Sequence, residues 1–137
     1  GYDLGVAWFH AGRMPEAIQA FRRCLDLDPH YNAAHYRLAI CYHHAGEPGK
    51  ALEHFEKCTS LTPEYRMARY HIGVILERRG DTEGAAREYQ RNLDEGIGEV
   101  SSLLHLADIR EAEGNTEEAE ALRAQALAFH DTSVREG

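Results

Sequence analysis

Histidine and cysteine are the residue types in this chain best suited to metal binding. The 137 residues include nine histidines and three cysteines. His54 and Cys58 stand four residues apart, which on a helix brings both side chains to one face. A zinc site needs two further ligands, so this pair alone does not predict one. His43, His71 and His105 form a second candidate set, but they fall on three separate predicted helices. We therefore predict no metal ligands and no cofactor.

The sequence lacks the motifs of common catalytic sites. It contains no H-E-x-x-H pair, no glycine-rich phosphate loop, and no serine or cysteine in an evident arrangement with His and Asp. We therefore predict that the chain is not an enzyme. The histidines are expected to donate hydrogen bonds and to change charge near their unperturbed pKa of about 6.5.

The charge balance limits the class of partner. Lys and Arg total 15 against 23 Asp and Glu, which gives a formal net charge of −8. A protein that grips a phosphate backbone needs an excess of Lys and Arg, so we predict no nucleic-acid partner. No apolar run approaches the roughly 18 residues of a membrane span.

The three cysteines, Cys24, Cys41 and Cys58, are interpreted as small buried side chains in a reducing compartment. Cys24 and Cys58 occupy equivalent positions in two similar stretches of sequence. In helices stacked about 8–10 Å apart, their Cα atoms would be too distant for a disulfide. We therefore predict a cytoplasmic location.

A 34-residue interval organises the whole chain. Residues 35–42 carry an apolar stripe at i, i+3, i+4 and i+7, which predicts a helix, and residues 46–49 end it in a turn. A second stripe follows at residues 51–58. Glycines and alanines of this unit recur at the same interval, namely Gly12, Gly46, Gly80 and Gly114, then Ala17, Ala51, Ala85 and Ala119.

Ahead of the turn glycines stand the related patterns L-G-x-x-W, L-A-x-x-Y, I-G-x-x-L and L-A-x-x-R, and an aromatic column follows at Phe21, Phe55 and Tyr89. In these motifs residues 2–130 resemble the tetratricopeptide repeat family, whose unit is a helix–turn–helix of about 34 residues. The resemblance implies an all-α fold, a right-handed α-solenoid of four such repeats. We place the repeats at about 1–31, 32–65, 66–99 and 100–131 of a single array 1–137, with a C-terminal tail at 132–137.

Start and stop signals refine this plan. Asp28 and Pro29 predict the cap and the first residue of a helix. Between the third and fourth repeats, Gly96 and Gly98 stand in place of this signal. The two glycines predict either a bend of the chain or an ordinary helix end. The first repeat lacks the signal because it would precede Gly1, so we expect a truncated first helix and a longer parent array. The helices are expected near residues 2–11, 15–27, 31–45, 48–61, 65–79, 82–95, 99–113 and 116–130.

Two features concern packing. Small residues are predicted to let the two helices of each repeat approach closely, at Gly5, Ala39, Gly73 and Ala107. Arg110 and Arg123 occupy the slots that aromatic residues fill in the second repeat. Two arginines do not belong in a dry core, so carboxylates are expected to hold them at the surface. The nearby carboxylates are those of Glu111, Glu113 and Glu120.

The remaining face of each first helix is the candidate functional surface. In the family this face lines a concave groove that holds an extended peptide or a partner's helix. Its tyrosines, aliphatic residues and hydrogen-bonding groups suit protein recognition, although the tyrosines could instead pad neighbouring helices. One column, Arg37, His71 and His105, predicts a ligand with acidic groups beside an apolar anchor. The predicted groove residues are Tyr36, Arg37, Ile40, His43, Met67, Tyr70, His71, Val74, Leu104, His105 and Asp108.

These observations predict a protein–protein interaction scaffold that binds a peptide or a partner segment along the groove. Two alternatives stay open: a self-association module that forms a homo-oligomer, and a regulatory region of a larger enzyme. The clamp that some family members use for the carboxylate tails of heat-shock chaperones is missing. Its positions are occupied here by Tyr2, Val6, Arg37, Met67 and His71.

Overall fold

The computed structural model describes residues 1–95 and 100–136, with side chains as far as residue 129. This part of the chain forms eight α-helices and no strand, which confirms the predicted all-α fold. The helices are α1 (Tyr2–His10), α2 (Met14–Leu27), α3 (Asn32–His44), α4 (Pro48–Leu61), α5 (Arg66–Arg78), α6 (Thr82–Asp94), α7 (Val100–Ala112) and α8 (Thr116–Glu136).

The helix boundaries agree with the predicted ones within one residue, except at the end of α8. This helix was expected to end near residue 130, before a tail, but its backbone continues to Glu136. Residues 131–136 contain neither proline nor glycine, so no helix breaker interrupts them. The predicted joint at Gly96 and Gly98 lies outside the described residues.

The chain divides into two compact units, Gly1–Ala68 and Arg69–Gly137, and each buries its own apolar residues. In the first unit the buried side chains include Ala17, Phe21, Leu38, Ala39, Cys41, Ala51, Phe55 and Cys58. In the second unit they include Ala85, Tyr89, Leu103, Leu106, Ala107, Ile109 and Ala119. The predicted apolar stripes of α3 and α4 therefore face the core of the first unit.

Glycine ends the first helix of every hairpin in the same way. Gly12, Gly46, Gly80 and Gly114 all have φ between 76° and 87°, in the left-handed region that favours glycine. The residue after each glycine donates its N–H five residues back, as in the bonds Arg13 to Trp8 (2.9 Å) and Glu47 to Tyr42 (2.9 Å). These are the bonds of a Schellman motif, which satisfies carbonyls at the helix end.

The predicted role of Asp28 and Pro29 is wrong. Asp28 ends α2, and its Oδ1 accepts the N–H of His30 at 3.1 Å. The N–H of Tyr31 bonds to the Asp28 carbonyl at 3.1 Å, so Asp28 to Tyr31 form a turn, and α3 begins at Asn32. The aspartate side chain therefore serves the turn before the helix, which is a common alternative use of this residue type.

The predicted close approach between paired helices is confirmed in two hairpins. A Cβ atom on Gly5 would lie 2.6 Å from Cε1 of Phe21, and one on Gly73 would lie 2.5 Å from Cε1 of Tyr89. Both aromatic rings are fully buried. Only the absence of a side chain lets each ring lie against the backbone of the first helix.

Two equivalent positions of the repeats hold different polar groups. In the first unit, the His35 Nδ1 lies 3.1 Å from the His54 Nδ1, and the His35 Nε2 donates to the Pro29 carbonyl at 2.8 Å. In the second unit, one repeat later, Arg69 and Glu88 occupy these positions.

Arg69 is 1% exposed and is held by several polar groups of its unit. Its Nη1 donates to Glu95 at 2.8 Å and to Asn92 Oδ1 at 3.2 Å. The Asn92 amide in turn donates to Ser102 Oγ of α7 at 3.3 Å. A buried guanidinium requires such partners because its desolvation is costly.

The arginines of the last repeat lie at the surface, as predicted, with partly different partners. Arg110 pairs with Glu113 at 2.9 Å and also with Glu118 at 3.3 Å. Arg123 pairs with Glu111 at 2.7 Å and with Asp108 at 3.0 Å. Glu120, which was expected to hold one of these arginines, takes part in none of these four ion pairs.

All three cysteines are unpaired. Burial raises the pKa of the Cys41 thiol to about 11 and that of Cys58 to about 12, so neither is a reactive thiolate at neutral pH. Cys24, predicted to be buried, is half-exposed.

We predict that Gly73→Ala destabilises the protein. Alanine favours a helix over glycine by about 1 kcal/mol, but overpacking typically costs about 1–3 kcal/mol, and here the new Cβ would overlap the buried Tyr89 ring. Urea unfolding measures the difference. The same change should cost less in a Tyr89→Leu background, where the ring is gone, and equal costs in both backgrounds would contradict this packing.

We also predict that the histidine pair makes the fold acid-sensitive. The pKa of His54 is lowered, first by burial and then by the neighbouring His35; Lys57 and Arg22 act in the same direction and Glu53 opposes them. Because the folded pKa lies below the unfolded value of about 6.5, stability is fully present above that value and falls as pH drops through the folded pKa.

Thermal unfolding at pH 7 and pH 5 measures this effect. His54→Gln retains a hydrogen-bond donor for His35 but cannot be protonated, so its melting temperature should fall less on acidification than that of the wild type. His30→Gln removes an exposed histidine of the same unit and should behave as wild type. An equal fall in wild type and His54→Gln would rule out the pair as the source.

Candidate functional site

The predicted groove residues form two patches, one on each unit. The first, called the Arg37 patch, comprises Tyr36, Arg37, Ile40 and His43 of α3 with Met67 at the start of α5. The second, called the His105 patch, comprises Tyr70, His71 and Val74 of α5 with Leu104, His105 and Asp108 of α7. All eleven side chains are half-buried or exposed, and Met67 and Leu104 are 38% and 43% exposed.

Tyr2 and Tyr36, which stand 34 residues apart in the first unit, each pack against two other rings. Tyr36 lies 5.9 Å from Phe55 and 5.2 Å from Tyr65, measured between ring centroids. Tyr2 repeats the arrangement with Phe21 at 5.7 Å and Tyr31 at 5.3 Å. Both tyrosines are half-buried, so they pack within the hairpin and are also partly exposed at the surface.

Tyr65 is the residue of this patch that the sequence reasoning missed. It stands just before α5, outside any predicted apolar stripe. The available signal was the 34-residue interval between Tyr31 and Tyr65, which equals the interval between their partners Tyr2 and Tyr36. A repeated pair of this kind predicts a repeated contact.

A small cavity opens beside Tyr36. Its volume is about 260 Å³, and it is lined by Tyr36, Glu64, Tyr65, Arg66 and Met67. Its lining includes two aromatic residues and a thioether, while Glu64 and Arg66 contribute one charge of each sign. The cavity is smaller than the roughly 300–1,000 Å³ typical of sites for drug-sized ligands.

Arg37 lies among aromatic and phenolic groups. Its Nε donates to the Tyr2 hydroxyl at 3.3 Å, and its guanidinium carbon lies 5.9 Å from the centroid of the Phe9 ring. Phe9 in turn meets the His44 ring edge-on at 5.9 Å. No carboxylate in the described part of the chain forms an ion pair with Arg37.

Arg37 also acts electrostatically on the two tyrosines of the cavity. Burial raises the pKa of Tyr36 and of Tyr65, and this effect outweighs the positive charge of Arg37, which favours ionisation of both phenols. Both hydroxyls therefore stay protonated at neutral pH and can donate hydrogen bonds. The Tyr2 hydroxyl, which accepts from Arg37, retains its own proton for donation.

The His105 patch has a closed hydrogen-bond network. One carboxylate oxygen of Glu77 accepts from the Tyr89 hydroxyl at 2.8 Å and from Nδ1 of His105 at 3.1 Å. With its proton on Nδ1, a neutral His105 accepts at Nε2 from the Tyr70 hydroxyl, 3.3 Å away. The hydrogen-bond partner of His105 is thus a carboxylate of the same unit.

Other members of this patch are likewise engaged. The His71 ring lies 5.4 Å from the Tyr70 ring, and the Asp108 carboxylate is bound by Arg123. Leu104 is the exposed apolar residue of the patch, and Val74 is half-buried. The two patches therefore differ: the first presents a cation and a cavity, and the second presents a hydrogen-bonded network that contains the Glu77 carboxylate, together with an exposed leucine.

Metal binding has no support from the described residues, which contain no group of three or more His, Cys, Asp or Glu side chains placed to hold an ion. His54, which was considered together with Cys58, has the ring of His35 as its hydrogen-bonding neighbour. Within the same part of the chain, no helix combines the length and apolar character needed to cross a membrane.

Solved structures with the same fold span nearly the whole chain. A MamA crystal structure is 20% identical, with a TM-score of 0.89 over 98% of this chain and 78% of that one. MamA from Desulfovibrio magneticus RS-1 is 20% identical, with a TM-score of 0.82 over 96% and 74%. The first TPR of Spaghetti (RPAP3), bound to HSP90 peptide SRMEEVD, is 21% identical, with a TM-score of 0.75 over 82% and 90%.

Family comparisons agree with these likenesses. No curated protein sequence matches the chain. Three profiles of the tetratricopeptide repeat, however, match residues 9–69, 49–100 and 102–134. Together they cover almost all of the sequence from the first hairpin to α8. The chain, with its all-α solenoid fold, therefore belongs to the tetratricopeptide repeat family.

Proposed function

We propose that this protein is an interaction scaffold that binds a peptide or a segment of a partner protein through the Arg37 and His105 patches. The observation that carries the proposal is the cavity beside Tyr36, which opens on a predicted binding face and is walled by Tyr36, Tyr65 and Met67. A cavity of this size suits one side chain of a polypeptide rather than a cofactor.

The composition of the patches supports this function. Tyrosine, methionine and arginine are enriched in protein interfaces, and tyrosine and arginine dominate their binding energy. Tyr36 and Tyr70 are held in place by rings of their own units, Phe55 and Tyr89. A side chain that is already ordered loses little conformational entropy on binding.

The family comparison supports the class of ligand. One structure similar to this chain, that of the Spaghetti (RPAP3) repeat, is bound to a peptide. The residues of this chain differ from a chaperone-tail clamp at the positions already named, so the proposal extends to a peptide as a class and not to that peptide.

A peptide library displayed on phage and selected against the wild-type protein tests this function. We expect the selected peptides to lose at least about tenfold in affinity, or about 1.4 kcal/mol, for a Met67→Glu/Leu104→Glu variant. Each substitution places a charge on an exposed apolar residue of one patch, so the fold should be retained.

The matched control is Leu27→Glu/Leu61→Glu, which makes the same chemical change at exposed leucines of α2 and α4. Its affinity for the selected peptides should equal that of the wild type. If selection yields no binder, or if binders respond equally to both double variants, the proposed function is wrong. A protein mass that rises with concentration, with binding insensitive to the patch variant, would support self-association instead.

A further inference from the structure

We propose that the Arg37 patch recognises an Asp or Glu side chain within an internal stretch of the partner, next to a bulky apolar residue that enters the cavity beside Tyr36. The proposal rests on the proposed function and specifies the ligand of one patch. It concerns the first unit alone, and it assigns the charge recognition to Arg37 rather than to the histidines of the same predicted column.

The first argument is charge. Several other cations of the described chain have carboxylate partners, including Arg13 with Glu16, Arg87 with Glu83 and the buried Arg69 with Glu95. Arg37 is half-buried and, among the described residues, has a phenol oxygen and a ring as its contacts. On a protein with a net charge of −8, this cation is suited to a ligand that supplies the missing carboxylate.

The second argument is the arrangement of donors. The Nε of Arg37 donates to the Tyr2 hydroxyl, so the N–H groups of the two terminal nitrogens remain for a ligand. The planar guanidinium matches the geometry of a carboxylate, which can accept two parallel hydrogen bonds from it. The Tyr2 hydroxyl, which accepts from this Nε, is itself a donor beside the guanidinium. The contact with Phe9 restrains the plane of the guanidinium.

The third argument places an apolar residue beside the acidic one. The cavity of about 260 Å³ is lined by Tyr65 and by Tyr36, which directly precedes Arg37 in α3. Its aromatic walls and Met67 suit an aliphatic or aromatic side chain. The neighbouring residue of a bound segment is then within reach of Arg37.

The surroundings of Arg37 also favour an internal side chain over a C-terminal carboxylate. Phe9 adjoins Arg37 and His44 adjoins Phe9, while the cavity lies at Tyr36 and Tyr65. A bound segment that contacts Arg37 could therefore meet further side chains both at Phe9 and at the cavity.

The histidines do not carry this recognition. His105 has its carboxylate in Glu77, and so a ligand carboxylate there would meet a negative charge. Within the predicted column of Arg37, His71 and His105, we therefore assign recognition of the acidic group to Arg37. Binding of an acidic peptide to this patch should persist at pH 8, where histidine is neutral.

Fluorescence polarisation with an array of acetylated and amidated peptides tests the proposal. Each peptide contains one Glu with Leu, Phe or Met one to three residues away on either side, and each has a counterpart with Gln in place of Glu. We expect the best Glu peptide to bind wild type at least about tenfold more tightly than its Gln counterpart at pH 8. Added salt should reduce this preference.

Variants assign the preference to Arg37. Arg37→Gln should abolish the difference between Glu and Gln peptides, and Arg37→Lys, which keeps the charge but loses the fork, should retain part of it. Arg23→Gln removes an exposed arginine of α2 and should leave the preference intact. Tyr65→Ala should reduce the advantage of peptides with Leu, Phe or Met over peptides with Ala at the same place.

The outcomes separate this proposal from the function on which it rests. Equal binding of Glu and Gln peptides, or no binding by any peptide of the array, overturns the acidic recognition, while library-selected peptides sensitive to Met67→Glu/Leu104→Glu would still support the scaffold. A Gln peptide that gains affinity when its C-terminus is left free would indicate recognition of a chain end and would also overturn the proposal.

Discussion

The close crossing of the two helices within a repeat is the constraint on which the rest of the structure depends. Gly5 and Gly73 lie against the rings of Phe21 and Tyr89 at distances that leave no room for a Cβ atom. Since each ring is buried, the adjoining side of the first helix is committed to packing. The left-handed glycine at each turn returns the chain so that the crossing can recur. The opposite side of the first helix is thereby left for the recognition that we propose.

The repeats share this close helix crossing, but they differ in their charged and polar side chains. The same positions hold a hydrogen-bonded histidine pair in the first unit and a buried arginine with acidic and amide partners in the second. The surface shows a similar contrast, because His105 has the Glu77 carboxylate as its hydrogen-bond partner whereas Arg37 has phenolic and aromatic neighbours. Repeats of one fold thus differ in what charge they leave available to a ligand.

The helices could be predicted from the sequence because their signals recur in every repeat and each recurrence supports the others. Prediction failed where the 34-residue interval does not determine which residue a side chain contacts. Asp28 has the type of a helix cap, but its carboxylate serves the preceding turn. Arg69 aligns with His35, and its burial depends on Glu95, Asn92 and Ser102 appearing together. The cavity was missed because Tyr65 lies at the predicted start of α5, ahead of its apolar stripe, where the stripe gives no signal.

Nuclear magnetic resonance tests most directly whether packing and recognition are separated on opposite sides of the first helices. Amide shifts are followed while the tightest peptide from the library selection is titrated into labelled protein. The account predicts that the largest changes fall on residues 36–44, 65–74 and 104–108, with a change at the Arg37 side chain. Largest changes on α2, α4 and α6, with the first helices unperturbed, would contradict it.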